Sequence, residues 1–181
     1  IALNILRYFR FTNMAQAQRL VAHNMKHFDR FISMLARFIA TGFGVGYVIP
    51  IGQGTIATAL AVLIVPWFLR MPVSSQVIMI FFALAIGVWS SSVAEKLFAT
   101  KDDHRIVVDE IVSIFITFLA FPSSLSWSWI VVGLVLNRVF DIWKPGPIRR
   151  LQNLRGGWGI MVDDVASSAL SHIILRVFCW I

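Results

Sequence analysis

The chain has 181 residues, of which 58% are apolar, and its mean hydropathy is +0.78. Only 14% of the residues are charged, whereas a soluble domain carries roughly 25%. This composition excludes an ordinary globular cytosolic domain, because too little polar surface is present to coat one. It also excludes disorder and coiled coil, which need more charge and fewer aromatic residues. The chain is long enough for one domain and has the composition of a membrane protein.

The net charge of +7 is distributed as in a membrane protein and not as in a nucleic-acid-binding protein. Six of the sixteen basic residues precede the first long apolar run, and most of the others lie in gaps between apolar runs. Cationic loops of this kind follow the positive-inside rule and attract anionic lipid headgroups. We therefore expect a membrane as partner and no nucleic acid. The single cysteine, Cys179, excludes a disulfide framework and a cysteine metal site.

Residues 1–37 form the first predicted segment, in which basic and apolar residues alternate with loose helical spacing. The pattern predicts a basic amphipathic segment on the cytoplasmic face of a membrane, with a frayed tail as the alternative. We expect no cleavable signal here, because no compact apolar stretch precedes a small-residue cleavage site. The chain begins at Ile1 instead of methionine, so we expect its natural start to lie upstream.

Residues 38–181 form the predicted membrane-embedded domain, which opens with a glycine-rich stretch over residues 38–54. So much glycine argues against a plain spanning helix, and irregular backbone at membrane depth needs protein or a water-filled cavity around it. The backbone amides of this stretch suit a phosphate oxygen if it folds back at the inner interface. Tight packing of helices through small residues is the alternative.

Five apolar runs follow, of which the last is interrupted by charged residues. They are Thr55–Leu69, Val73–Val93, Ile106–Phe121, Trp127–Phe140 and Ile160–Ile181. Several are shorter than the ~20 residues of a straight spanning helix, and tryptophans lie near their ends as interfacial anchors do. The sequence therefore predicts an all-α fold: a polytopic integral membrane helical bundle with a glycine-rich irregular segment and a basic amphipathic N-terminal segment.

The carboxylates gather on one side of the predicted membrane. With the basic tail inside, the positive-inside rule places residues 94–105 and 144–158 inside and residues 121–126 outside. All nine carboxylates then lie on the cytoplasmic side or just within the membrane from it. Five of them interrupt apolar sequence, namely Asp109, Glu110, Asp141, Asp163 and Asp164. Clustered carboxylates at helix ends are unfavourable unless a cation joins them, so the pattern predicts a bound divalent metal.

Structural roles compete with this interpretation at several positions. Thr100, followed by Asp102 and Asp103, is typical of a helix N-terminus, where acids are favoured by the helix dipole. Asp109 and Glu110 are predicted to lie too deep in that helix for capping, so we expect them to be functional.

A second set of polar residues, at the end of the fourth run and just after it, also has a structural alternative. Asn137, Arg138, Asp141 and Lys144 recur at three- and four-residue spacing, which gives one polar stripe on an apolar helix. An ion pair of Asp141 with Arg138 or Lys144 is the structural alternative there. For the two aspartates after the Gly156-Gly157-Trp158-Gly159 segment, the alternative is helix capping.

Four stretches together resemble the phosphatidylglycerophosphatase A family, magnesium-dependent lipid phosphatases of bacterial inner membranes. The stretches read TGFGVGYVIPIGQGT, KDDHRIVVDE, NRVFDIWKPGPIRR and GGWGIMVDD, between about Ala40 and Ala169. Their order and spacing form a specific combination. The resemblance implies hydrolysis of phosphatidylglycerophosphate to phosphatidylglycerol and orthophosphate by an all-helical domain that uses Mg²⁺. It also implies a multi-pass protein of the bacterial inner membrane with its active site facing the cytoplasm.

The chain departs from the family pattern at a few small residues. The first motif usually reads like PGT-x-GS, and here Gln53, Ala57 and Thr58 replace proline, glycine and serine. Ser113 stands where a glycine is usual, and Ser167-Ser168 stand where an Ala-Gly pair is usual. These changes affect packing and loop geometry and leave the acids in place.

The resemblance and the acid pattern together give candidate site residues. The candidate catalytic residues are Asp109, Glu110, Asp141, Asp163, Asp164, Asp103 and His104, the last with an interfacial polar role as alternative. The candidate metal ligands, or positioners of the attacking water, are Asp109, Glu110, Asp163 and Asp164, with Mg²⁺ as cofactor. The candidate substrate-binding residues for the phospholipid are Arg105, Arg138, Lys144, Thr55 and Gly54. The chain has neither a DxDxT nor a C-x5-R nucleophile motif, which favours direct attack by water.

Two other classes of membrane protein remain as alternatives. Acids within a membrane also mark the ion paths of cation or proton transporters, but there they are spread through the membrane depth. Another phospholipid-headgroup enzyme, such as a phosphatidyltransferase, would carry a DG-x2-AR…G-x3-D-x3-D signature, which the chain lacks.

Overall fold

The computed structural model describes residues 25–48 and 51–179, and these divide into two compact units after Leu35. The described part of the first unit, residues 25–35, is helical. Most of the predicted amphipathic segment, residues 1–24, lies outside the described residues, as do positions 49 and 50 of the glycine-rich stretch and the last two residues. The prediction for that N-terminal segment therefore stays a prediction.

The second unit contains helices and turns, with no strand in its described part, so the all-α prediction is confirmed. Residues 36–40, at the start of the second unit, are helical (α1). The remaining α-helices are α2 (Gln53–Val62), α3 (Val65–Phe68), α4 (Val73–Phe98), α5 (Val108–Thr117), α6 (Trp127–Trp143), α7 (Gly146–Arg149) and α8 (Gly157–Cys179). Short 3-10 turns cover Val45–Tyr47 and Arg150–Asn153.

The run Thr55–Leu69 forms two helices and not one. The chain turns at Leu63 and Ile64, and α3 begins with Pro66 in its first turn. Proline has no backbone N–H to donate and is tolerated only in the first turn of a helix, so it marks a new helix start. The first apolar run is therefore broken into two short helices.

The start of α5 differs from the prediction. Residues 99–107 form turns, and the Thr100 hydroxyl donates to the carbonyl of Phe98 and caps no helix. Because α5 begins at Val108, Asp109 and Glu110 lie in its first turn, so the expectation that they lie too deep for capping is wrong. Neither makes a capping hydrogen bond. In α8 the two aspartates lie well past the first residue, Gly157, which excludes the capping alternative for them.

Helix α8 packs against α4, α5 and α6 and forms the centre of the unit, while α2 packs against α5 and α6. Two apolar clusters fill the interior. One contains Phe68, Ile114, Phe118, Ile130 and Leu175. The other lies between α4, α5 and α8 and contains Ala94, Val108, Val112, Ile160 and Met161. These two clusters pack the helices of the second unit together.

Helices α4 and α8 approach each other closely because glycines line their contact. A Cβ added at Gly157 would lie 2.1 Å from the carbonyl oxygen of Val88, and one at Gly87 would lie 2.6 Å from the Met161 Cε. The Gly157 N–H also donates to the Ser92 hydroxyl at 2.8 Å. This contact fixes where α8 begins and hence where its acids lie.

We expect Gly157→Ala to lower the free energy of unfolding by about 1–3 kcal/mol, because the new methyl group overlaps a backbone carbonyl that has little room to move. Thermal unfolding in detergent micelles measures the change. Gly146→Ala is the matched control, since nothing lies within 4 Å of a Cβ at that position. An unchanged melting temperature for Gly157→Ala would contradict the packing described here.

Among the described residues, one helix is long and apolar enough to cross a membrane, namely α4. Its outward side chains are large and apolar, including Ile78, Phe81 and Phe82, which are more than half exposed. Helix α2 is apolar but shorter.

Candidate active site

Five carboxylates and two basic side chains meet at one end of the second unit, contributed by α5, α6 and α8. They are Asp109 and Glu110 in the first turn of α5, Arg138, Asp141 and Lys144 at the end of α6, and Asp163 and Asp164 in α8. We call these seven residues the acidic cluster. The structure thus brings together acids from three stretches of the chain that lie far apart in sequence.

Lys144 lies at the centre of the acidic cluster. Its ammonium nitrogen is 2.5 Å from Asp163 Oδ2, 3.3 Å from Asp141 Oδ1 and 3.5 Å from Asp164 Oδ1. Its backbone is in the left-handed region with φ 40°, which a non-glycine residue rarely adopts, and its N–H donates to the carbonyl of Phe140. This turn ends α6 and directs the lysine side chain towards α8.

Arg138 is the second cation of the acidic cluster. Its Nη1 lies 2.9 Å from Asp141 Oδ2 and 4.0 Å from Glu110 Oε1, and it also donates to the Thr58 hydroxyl at 3.4 Å. Its Nε is buried and has no hydrogen-bond partner among the described residues. The guanidinium group therefore keeps an unused donor inside the site.

Four carboxylate oxygens of the acidic cluster are buried with no hydrogen-bond partner in the described part of the chain. They are Asp109 Oδ1, Glu110 Oε2, Asp163 Oδ1 and Asp164 Oδ2. A buried anionic oxygen without a donor is costly, so these atoms indicate a position for a proton, a cation or a substrate. The donor set consists of hard oxygens, which Mg²⁺ prefers.

The described residues contain no three Asp, Glu, His or Cys side chains that converge closely enough to enclose a metal ion. Magnesium is usually held by one or two carboxylates, with waters and substrate phosphate as its other ligands. The unpartnered oxygens of Asp109, Glu110, Asp163 and Asp164 therefore fit magnesium in chemistry, through partial coordination and not through a closed protein cage.

The first turn of α2 lies against the acidic cluster. A Cβ at Gly54 would lie 1.8 Å from Glu110 Oε1, so only glycine lets this carboxylate reach so close to the α2 backbone. Gly52, with φ 79°, begins the helix in a conformation that favours glycine, and Thr58 donates to the Gly54 carbonyl. Thr55 is exposed on the same turn. Gly54 is thus placed beside Glu110, and Thr55 is the next residue in the same turn.

The predicted site residues Asp103, His104 and Arg105 lie in the loop between α4 and α5. Asp103 accepts two hydrogen bonds from the Arg105 side chain, at 2.7 Å and 2.8 Å, and the guanidinium group lies 3.9 Å from the centre of the Phe98 ring. His104 is largely exposed. Within the described residues, no hydrogen bond or ion pair joins this trio to the acidic cluster.

The Asp103–Arg105 pair makes stability depend on pH. Hydrogen bonds from the Arg105 side chain hold the pKa of the Asp103 carboxyl below its ordinary value. Because the folded pKa is the lower one, the pair stabilises the protein above about pH 4, the ordinary pKa of an aspartate, and this contribution is lost as the pH falls through the folded pKa.

We expect Asp103→Asn to lower the free energy of unfolding at pH 7 by about 1 kcal/mol, since the pair is partly open to water. Unfolding measured from pH 7 to pH 3 should show the difference from the native chain shrinking below about pH 4. A difference that stays constant over this range would contradict the assignment.

A polar network that the sequence did not predict links α5 to α6 beneath the acidic cluster. The Ser113 hydroxyl lies 2.8 Å from the Glu110 carbonyl and 3.3 Å from the Asn137 side-chain oxygen, and Asn137 Nδ2 donates to the Thr117 hydroxyl at 3.0 Å. All three side chains are buried. The i, i+4 spacing of Ser113 and Thr117 in an apolar run was the available signal.

The other departures from the family pattern lie in packed positions. Gln53, Ala57, Ser167 and Ser168 are all buried. The Ser167 hydroxyl donates to the carbonyl of Phe140, next to Asp141, so it ties α8 to the end of α6. Ser167 therefore links the two helices that carry Asp141, Asp163 and Asp164.

Comparison with known proteins gives consistent matches. The family model for phosphatidylglycerophosphatase A matches residues 38–179. The chain is 35% identical to the phosphatidylglycerophosphatase A of Escherichia coli K12 over 140 residues, which cover 76% of this chain and 79% of that protein. It is 37% identical to the Haemophilus influenzae protein of the same name over 140 residues, or 76% of this chain and 84% of that protein.

A third relative has a different name. A putative phosphatidylinositol-3-phosphatase of Bacteroides thetaiotaomicron is 35% identical over 156 residues, which cover 82% of this chain and 96% of that protein. No solved structure matches the chain. The family match covers nearly the whole of the second unit, including every residue of the acidic cluster. The chain therefore belongs to the phosphatidylglycerophosphatase A family of phosphoric monoester hydrolases.

Proposed function

We propose that the protein hydrolyses phosphatidylglycerophosphate to phosphatidylglycerol and phosphate at the acidic cluster. The observation that carries this proposal is the set of four unpartnered carboxylate oxygens beside the unused Nε of Arg138. A phosphate monoester is a dianion, and carboxylates without cations beside them would repel it. The basic side chains are therefore needed to bind the substrate, and the acids to accept a proton or hold a cation. The family membership supplies the reaction class.

Different side chains of the acidic cluster bind the phosphoryl group and accept the proton of the attacking water. Arg138 binds the phosphoryl oxygens through its guanidinium group, and Asp141 holds that group in place at 2.9 Å. Asp109 Oδ1, which is buried and unpartnered, accepts a proton from the attacking water. The new P–O bond forms as the bond to the lipid glycerol oxygen breaks, and the proton passes to that oxygen.

The remaining acids are proposed to hold a magnesium ion. The candidate ligands are Glu110, Asp163 and Asp164, each with a buried oxygen that lacks a protein donor, and one or two of them would hold the ion while Asp109 positions the attacking water. When bound there, Mg²⁺ would neutralise negative charge on the phosphoryl group. The carboxylates would otherwise repel a substrate of the same sign.

We also propose that the second unit crosses the bacterial inner membrane several times, with the acidic cluster facing the cytoplasm. Helices α4, α6 and α8 are about 39, 26 and 35 Å long, against a hydrocarbon core of about 30 Å. The loop over residues 118–126, at the far end of α5 from the cluster, has no lysine or arginine. The segment after Lys144 carries exposed Arg149, Arg150 and Arg155, which suits an anionic cytoplasmic leaflet.

Phosphate release from a panel of defined lipids tests the proposed substrate. We expect the purified protein to release phosphate from phosphatidylglycerophosphate in mixed micelles faster than from phosphatidylinositol 3-phosphate, the substrate that the name of the Bacteroides relative specifies. Phosphatidic acid, which lacks a headgroup alcohol, is the matched lipid control. Faster release from phosphatidylinositol 3-phosphate would move the substrate assignment to that lipid.

A further inference from the structure

We propose that Lys144 is a positioning residue, which orients the carboxylates of Asp163 and Asp164 and does not bind the substrate phosphate. This inference rests on the proposed function for its reaction. It replaces the expected role of Lys144 as a substrate-binding residue with a different one.

The first argument is that carboxylates already surround the ammonium group. An ammonium has three N–H donors, and three carboxylates lie within 3.5 Å of this one, those of Asp141, Asp163 and Asp164. Its side chain is mostly buried, so water does not compete strongly for these donors. A phosphate oxygen would have to displace a carboxylate to reach the nitrogen.

The second argument is which oxygens Lys144 leaves unpaired. It contacts Oδ2 of Asp163 and Oδ1 of Asp164, whereas Oδ1 of Asp163 and Oδ2 of Asp164 are buried without a partner. One oxygen of each carboxylate is therefore anchored and the other is left available. Anchoring one oxygen fixes the rotation of the carboxylate and hence the direction of the free one.

The third argument is the contrast with Arg138. The arginine has a buried Nε without a partner among the described residues, whereas the Lys144 ammonium donates to Asp163 and lies within 3.5 Å of two further carboxylates. The guanidinium group therefore offers a free donor to phosphate, whereas the ammonium is engaged by carboxylates. Arg138 is therefore assigned to substrate binding, and Lys144 to holding the carboxylates in place.

The fourth argument is the backbone of Lys144. A residue with φ 40° at the end of a helix is usually glycine, because a Cβ is strained there. Strain of this kind persists where the surrounding structure holds the residue in place. The turn itself does not require a lysine, and the contacts of its side chain with three carboxylates offset the strain.

Lys144→Gly tests the proposal, with Ala99→Gly as the matched control. Ala99 ends α4 in the same left-handed conformation, with φ 52°, and it is exposed. Glycine relieves backbone strain at both positions, but only the first variant removes an ammonium from three carboxylates. We expect the melting temperature to rise or stay unchanged for Ala99→Gly and to fall for Lys144→Gly.

Kinetics separate a positioning role from phosphate binding. We expect Lys144→Gly to lower kcat about 10²-fold, the effect of misplaced catalytic groups, while the Ki of inorganic phosphate as a competing product stays unchanged. Lys144→Arg, which keeps the charge and supports folding, should show the same pattern to a smaller extent. A Ki that rises together with the loss of kcat would make Lys144 a phosphate ligand and overturn the proposal.

A higher melting temperature with full activity in Lys144→Gly would also overturn the proposal, because the role of Lys144 would then be only to end α6. The thermal measurement needs no substrate, so it tests the contact of Lys144 with the acids separately from the reaction. If the native protein released phosphate from none of the lipids, the proposed function would fail while the melting temperatures still reported on Lys144.

Discussion

Replacing Asp109 by asparagine is expected to lower kcat/KM for phosphatidylglycerophosphate by about 10²–10⁴-fold, the range for removing a general base. Asp109 is buried, and its Oδ1 has no partner among the described residues, so its charge serves no ion pair that the fold requires. Asparagine has nearly the same shape but neither accepts a proton nor binds a cation well. The substitution also relieves repulsion with Glu110, so we expect an unchanged or higher melting temperature.

The control for this experiment is Glu95→Gln, which removes a carboxylate near the end of α4 outside the acidic cluster. We expect this variant to keep native activity. Both variants are compared by phosphate release in mixed micelles and by thermal unfolding. Activity in Asp109→Asn within tenfold of the native rate would show that the carboxylate is not part of the catalytic machinery.

Replacing Arg138 by methionine is expected to lower kcat/KM by about 10³-fold, as for other arginines that stabilise a transferring phosphoryl group. It also leaves Asp141 without its contact at 2.9 Å, which costs on the order of 3 kcal/mol for a mostly buried pair. Because this loss endangers folding, Arg138→Lys is measured beside it. Lysine keeps the charge but loses the planar pair of donors, so we expect a folded enzyme that binds inorganic phosphate more weakly.

The control for Arg138 is Arg70→Met, an exposed arginine between α3 and α4. We expect Arg70→Met to leave both kcat/KM and the Ki of inorganic phosphate unchanged. If Arg138→Lys kept the native Ki and the native rate, the guanidinium group would have no role in holding phosphate. The assignment of phosphate binding to Arg138 and of carboxylate positioning to Lys144 would then be wrong.

The helical fold and the composition of the acidic cluster were predictable because both follow from local patterns. Apolar runs separated by polar turns mark helices, and carboxylates that interrupt such runs, as Asp141 does, are unfavourable without a partner. The sequence also carries family motifs around the same acids. The break between α2 and α3 was missed, although Pro66 was its signal, because the apolar run continues through it.

Details that depend on tertiary contacts were not predictable. The start of α5 at Val108 is set by packing of the loop before it, where the Val107 N–H donates to the carbonyl of Ala40. Several possible partners lie near Asp103 in the sequence, and spacing alone does not show that it pairs with Arg105. The same holds for Lys144, whose three carboxylate partners come from two helices.

The central claim is that the acids of α5, α6 and α8 form one site that removes the terminal phosphate of a lipid with the help of magnesium. Its most direct test is phosphate release from phosphatidylglycerophosphate by the purified protein in micelles, measured with Mg²⁺, with EDTA, and after Mg²⁺ is restored. We predict release with Mg²⁺, its loss with EDTA and its recovery on restoration. Equal release under all three conditions, or none under any, would contradict the account.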